Sequence, residues 1–364
     1  MQQLSVVCRA EPRKVSKPDP RVNIISLRMH NHAGPSGYHH AGTGLDPDPI
    51  LIEEKFKIPA RALLRLAKPW IENSGSTWYH RDGFWGECRA AGRWMRGSSQ
   101  VFHFLYGENL YRYLGNLKQF WPRQNAIVAT YHTPAWRMQE LVTNEAHLQR
   151  LDAIVIMAES QREYLETLAP GVPVHFIPHG VNTDYFHPLV TEQPAAGGPV
   201  KLVCVGAHLR DFAVFAEVAR NLLTIDPEIE FHLVCNTKDA ASVPDLPNIR
   251  KWSAITDADL LRVYQTSTAL LLPLIDSTAN NALLEGMACG LPIISTELPG
   301  VHDYTSKECC VLAPKGDVGA MTEIVKSIGS LDLPSMAAAS RRQAESLAWS
   351  QVRARLSALY LSLC

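Results

Sequence analysis

No uninterrupted apolar run in this 364-residue chain is long enough to cross a bilayer. Residues 269–275 are typical of the apolar stretches, and Pro273 lies inside them; a spanning helix needs about 20 apolar residues. Residues 1–20 hold Arg9, Arg13, Lys14 and Lys17 but no apolar segment of secretion-signal type, so they read as a flexible leader. A surplus of one charge sign is also missing. The 35 Lys and Arg balance 36 Asp and Glu to a net charge of −1, which argues against nucleic acid as the partner. The eight cysteines (Cys8, Cys88, Cys204, Cys235, Cys289, Cys309, Cys310, Cys364) form no Cys-x-x-Cys pair and no zinc-type spacing with His, so no metal site is expected. Free thiols in apolar runs, without an export signal, point to the cytoplasm. The Gly-x-Gly-x-x-Gly fingerprint of nicotinamide enzymes is absent as well, which argues against a dehydrogenase.

What is present is a soluble-protein composition, 46% hydrophobic and 20% charged, over a length that suits one large domain or two ordinary ones. Strand and helix patterns alternate twice. In the first half, strands are expected at 22–27, 101–105, 126–131, 153–157 and 174–177. Helices are expected at 58–70, 109–120, 135–150 and 160–168, and a Gly- and His-rich loop at 29–44. Residues 189–200 are rich in Pro, Gly and Ala and read as a linker. In the second half, strands are expected at 201–205, 230–235, 269–274 and 292–295. Helices are expected at 212–223, 257–266, 281–289 and 318–328, and in two pieces at 331–364. The division is a leader at 1–20, a first domain at 21–190, a linker at 191–200, a second domain at 201–345 and a final helix at 346–364. Alternation of this kind gives parallel sheets covered by helices, with ligands bound at the carboxyl ends of the strands.

Residues 272–304 carry the most specific signal. A buried strand runs into a polar turn, Asp276 to Asn280, and then into a helix that Asn280 or Asn281 caps. The free amides of such a helix start suit an anion. Glu285, one turn in, can accept bonds from vicinal hydroxyls on both of its oxygens. The run Glu285-Gly286-Met287-Ala288-Cys289-Gly290-Leu291-Pro292-Ile293 resembles the signature of the retaining family 4 of GT-B glycosyltransferases. So do Ile177-Pro178-His179-Gly180-Val181-Asn182 and Phe186-x-Pro188, and the Asp152-to-Ser160 element before them.

The resemblance spans roughly residues 100–360 and implies a GT-B fold: two Rossmann-like domains facing across a cleft, with the last helix crossing back to the first domain. It implies transfer of a hexose from a UDP-, GDP-, ADP- or dTDP-sugar to a hydroxyl acceptor (a sugar, a lipid-linked glycan or a small molecule). Anomeric configuration is retained and no cofactor is required. Peripheral membrane contact fits the lipid-linked case.

On this resemblance Glu285 holds the ribose, and Thr278, Ala279, Asn280 and Asn281 meet sugar and phosphate. The family's first Glu falls on Ser277, leaving Asp276 beside it to face the donor or merely to cap the helix. After the strand at 201–205 the family places Arg beside Gly206. Here Ala207 stands there, and Arg210 becomes the diphosphate cation with His208 assisting, or else a surface partner of Asp211 or Asp257. His132 ends a first-domain strand and is read as a donor contact, or as structural. Gly37 belongs to a Gly loop near the diphosphate. Tyr38 and Glu108 are acceptor candidates, Glu108 alternatively a helix cap, and Trp252 is placed against the base. The four tryptophans at 70, 78, 85 and 94 form core or an acceptor surface. Rival readings are a GT-B epimerase or phosphorylase, and a degenerate module that binds sugar nucleotide without turnover.

Overall fold

The computed structural model describes residues 20–28, 34–53, 61–189 and 199–363. The leader up to residue 19, residues 29–33 of the first loop, and 190–198 of the expected linker lie outside them.

Each half of the chain builds one six-stranded parallel sheet. The first contains β1 (Arg21–Arg28), β2 (Ile50–Glu53), β3 (Gln100–Phe104), β4 (Ala126–Tyr131), β5 (Ala153–Ile156) and β6 (Val174–Phe176), in the order β2-β1-β3-β4-β5-β6. The second contains β7 (Lys201–Val205), β8 (Glu230–Val234), β9 (Ile249–Trp252), β10 (Ala269–Leu272), β11 (Ile293–Thr296) and β12 (Cys310–Ala313), in the order β12-β11-β10-β7-β8-β9. Helices cover both faces, so β3, β4, β5 and β10 are buried at every position, and β5 and β10 read as continuous apolar runs. Strand order reverses between β1 and β3 in the first sheet and between β7 and β10 in the second. Those two switch points are where open parallel sheets bind ligands.

The last helix, Trp349–Ser362, packs Trp349, Val352, Leu356, Leu359 and Tyr360 into the core of the first domain. Tyr360 Oη and His103 Nδ1 lie 2.6 Å apart inside that core. The return to the first domain is fixed by backbone bonds between Val181 and residues 347 and 349.

Three sequence expectations are corrected. The helix expected over 109–120 is broken into Gly107–Leu110, a 3-10 turn at Leu114–Asn116 and Leu117–Phe120. The cause is Glu87, whose Oε1 accepts the backbone amides of Arg112, Tyr113 and Leu114 at 2.7–3.0 Å and so diverts the donors a helix would use. The helix expected over 135–150 stops at Leu141, because Gly75 and Thr77 take up the backbone groups of Leu141 and Thr143. Of the expected 58–70 helix, residues 58–60 lie outside the described residues and the rest gives two short pieces, Arg61–Leu66 and Lys68–Glu72, the second with Pro69 in its first turn. The 16-residue helix Arg81–Arg96 and the strands β2, β9 and β12 were not anticipated. Of the four tryptophans, Trp94 is fully buried, whereas Trp70 is 63% exposed.

Candidate active site at the two switch points

In the second domain the chain leaves β7 through Gly206, at φ 89°, and Leu209, at φ 57°. Two backbone bonds dock this loop on the segment after β10: Asp211 N donates to Pro273 O and Ile275 N to Leu209 O. Arg210 is thereby turned back over the loop. Its Nε donates to Val205 O, Nη1 to His208 O and Nη2 to Asn280 Oδ1, at 2.9–3.1 Å. These acceptors are all uncharged. Burial lowers the Arg210 pKa, and Cys204, Tyr264 and Glu285 nearby partly offset it. The surface pairing with Asp211 or Asp257 is not adopted. Asp211 caps the helix Phe212–Ile225, and Asp257 accepts the backbone amide of Gly34 at 2.9 Å.

Gly206 is required by geometry. A Cβ there would lie 2.9 Å from Arg210 Nη2, at a φ that side chains rarely adopt. Gly206→Ala is expected to cost roughly 1–3 kcal/mol and to displace the guanidinium. A urea midpoint and a nucleotide titration check it; an unchanged value in both would contradict this account.

The helix Asn281–Ala288 starts at the switch point. Asn280 caps it by accepting Leu283 N and also receives Arg210, so cation and helix start are joined through one amide side chain. Glu285 is 4% exposed. Ser36 Oγ donates to its Oε1 at 2.5 Å and Tyr264 Oη to its Oε2 at 2.8 Å. Burial pushes the Glu285 carboxyl up to about 7, against the opposing pull of these two bonds and of Arg210. Asn281 and Glu285 border one small cavity of about 10 Å³, with Pro35, Ser36, Gly37 and Trp349 opposite. Ala279 touches the cores of both domains, and Thr278 Oγ1 donates across the gap to His132 O at 2.5 Å.

The first domain brings its own switch-point loops to the same place. Gly37, at φ 106°, opens the 3-10 helix Tyr38–Gly42. His132 follows β4; its Nε2 and Leu105 O lie 2.7 Å apart, and its ring stacks on Tyr106 at 4.7 Å. Burial lowers its pKa, so the ring is neutral at pH 7. Two acceptor expectations are corrected. Tyr38 is buried, its ring against His132, His179 and Trp349, where it fills core rather than facing an acceptor. Glu108 is 1% exposed, and its Oε1 collects His132 N, Thr133 N and Thr133 Oγ1, so it braces the β4 loop from beneath.

Asp276 does face the gap. Trp136 Nε1, from the first domain, donates to its Oδ2 at 2.6 Å, and Ser277 N to its Oδ1 at 2.7 Å. His208 contributes its backbone carbonyl to Arg210. Trp252 is not gathered with the others: it ends the edge strand β9, its ring 6.0 Å from that of His232. Ser36, Tyr264 and Trp136 were missed by sequence reasoning. Ser36 lay inside a named loop, while Tyr264 and Trp136 sit in helices with no motif to single them out.

A pair of parallel α/β domains whose switch points meet in one polar gap defines a two-domain, cleft-binding architecture. Residues 199–329, most of the second domain, match the family model described as glycosyl transferases group 1. No curated protein matches the chain in sequence. Among solved structures, the chain is similar to sucrose-phosphate synthase from Thermosynechococcus elongatus, at 15% identity and TM-score 0.64 over 94% of this chain and 98% of that one. A glycosyltransferase from Rickettsia africae gives 14% identity and TM-score 0.65 over 94% and 98%. A pneumococcal O-GlcNAc transferase in complex with UDP and GlcNAc gives 13% and 0.56 over 76% and 59%. The fold is therefore that of GT-B glycosyltransferases.

Proposed function

We propose that the protein is a retaining glycosyltransferase. It binds a nucleoside diphosphate sugar between its domains and transfers the hexose to a hydroxyl acceptor. The observation that carries this reading is Glu285 and Arg210 at the same switch point, the carboxylate buried and the guanidinium bonded to uncharged oxygens, one of them on the cap of the helix that bears Glu285. Glu285 takes the ribose hydroxyls. Arg210 and the amides at the start of helix Asn281–Ala288 take the diphosphate, whose charge grows as the glycosidic bond breaks; donors already in place for that charge are electrostatic catalysis. The UDP complex of the pneumococcal neighbour supports a nucleotide donor. Asp276, at the end of the same turn, is placed to meet the donor sugar. The departing phosphate, on the face where the acceptor approaches, accepts the acceptor's proton.

Thermal-shift titrations with UDP-, GDP-, ADP- and dTDP-sugars test the reading, because a ligand that binds only the native state raises its Tm. At least one donor is expected to raise Tm. Its 2′-deoxy analogue should bind about tenfold more weakly, having lost one hydroxyl to a charged acceptor. Labelled donor with an acceptor panel then separates transfer, with release of the diphosphate, from binding without turnover. No shift with any donor would remove the proposal.

A further inference from the structure

Glu285 receives two hydroxyls from opposite sides of the gap, and they differ in how firmly they are held. Tyr264 lies on helix Asp257–Gln265, in the same domain as Glu285. Its ring is fully buried and edge-on to Phe186, so withdrawing the hydroxyl would dismantle core packing. Ser36 comes from the other domain, on the loop after β1. Polar contacts bring that loop to the second domain at two points, Ser36 Oγ on Glu285 and Gly34 N on Asp257. The cavity between them, about 10 Å³, has room for about one water molecule. A nucleotide must widen it, and the contact that can yield without loss of core is the Ser36 hydroxyl, which leaves Glu285 by turning its own side chain while Tyr38 stays packed.

We propose that the two hydroxyls have opposite roles: Tyr264 is a positioning residue that holds Glu285 toward the donor, and Ser36 is a stand-in for a ribose hydroxyl, exchanged for it when a nucleoside diphosphate binds. This rests on the nucleotide reading of the gap. The exchange replaces one aliphatic hydroxyl on Oε1 by another, so it is nearly neutral in hydrogen bonding; the net cost is the loop contact given up. Tyr264 keeps Oε2 engaged throughout.

The charged and titratable groups facing Glu285 are Arg210 from the loop after β7, Tyr264 and Asp257 from helix Asp257–Gln265, and Cys289 on its own helix. Donor hydroxyls bind the ionised carboxylate. Affinity therefore rises as pH passes through about 7, where Glu285 ionises. Removing the Tyr264 hydroxyl takes away a bond that favours the carboxylate, which moves this midpoint upward.

The test measures Kd for UDP, GDP, ADP and dTDP on the full-length wild type, Ser36→Ala and Tyr264→Phe, from about pH 6 to 9, by calorimetry. For the diphosphate that binds wild type best, Ser36→Ala is expected to bind about three- to tenfold tighter, having lost its internal competitor. Tyr264→Phe is expected to bind about tenfold more weakly, with a higher pH midpoint. Weaker or unchanged binding by Ser36→Ala, or an unshifted pH profile in Tyr264→Phe, would overturn the proposal while leaving the nucleotide site standing. If none of the four binds wild type, the nucleotide reading falls and this inference falls with it.

Discussion

Glu285→Ala is expected to raise the Kd of the bound nucleoside diphosphate about 10- to 100-fold, the loss of a ribose hydrogen bond to a charged acceptor. Calorimetric titration at neutral pH reads it directly. The same residue should cost the fold stability, which marks it as functional rather than structural. Its carboxyl is raised to about 7 in the native protein from a reference value of 4.5. Between those values the folded state binds more protons than the unfolded chain, so stability falls as pH rises across the window. In Glu285→Gln, an isostere that still accepts a hydroxyl, this decline is absent. The wild type should lose on the order of 3 kcal/mol relative to Glu285→Gln between about pH 4.5 and 7, and the difference should stay level above that. Urea midpoints at about pH 5 and 8 decide it. A wild type that gains on the variant with rising pH would mean that Glu285 is ion-paired rather than desolvated, and the site would need another reading.

Sequence reasoning reached the central strands because they are mostly apolar runs with no competing periodicity, as in Ala153–Ile156, and missed β2, β9 and β12, of which β9 (Ile249–Trp252) is half polar. The cap at Asn280 and the carboxylate one turn into its helix are local signals, and Arg210 was singled out by the family resemblance; the structure joins Arg210 to Asn280 and sets Glu285 one turn further on. Sequence reasoning failed where a distant group rewrites local preference. Residues 109–120 have helical spacing, yet Glu87, 25 residues upstream of Arg112, takes three of their amides. Tyr38 and Glu108 sit in the right loops, but which way a loop residue points is decided by packing. Tyr38 turned into the core against Trp349, which arrives from the far end of the chain. Ser36 and Tyr264 converge on Glu285 from sequence separations of 249 and 21 residues. Nothing in the residues near either of them encodes that meeting.

Arg210→Ala carries the other large effect, on turnover. The guanidinium is to meet the diphosphate, whose charge increases as the sugar leaves, so its contribution is greater in the transition state than in the bound ground state. Loss of one such preorganised donor costs about 10²- to 10³-fold in kcat. The expected split is specific. Affinity for the nucleoside, which rests on Glu285, should be unchanged; affinity for the nucleoside diphosphate should fall toward that of the nucleoside; and kcat should fall further than either. Arg210→Lys keeps the charge but not the fork that reaches Val205 O, His208 O and Asn280 Oδ1 together, so it should recover only part of the rate. Arg210 also holds the loop after β7 in shape. The nucleoside control separates the two roles: if Arg210→Ala weakens nucleoside and diphosphate alike, the residue is a brace for the loop and the diphosphate is held elsewhere.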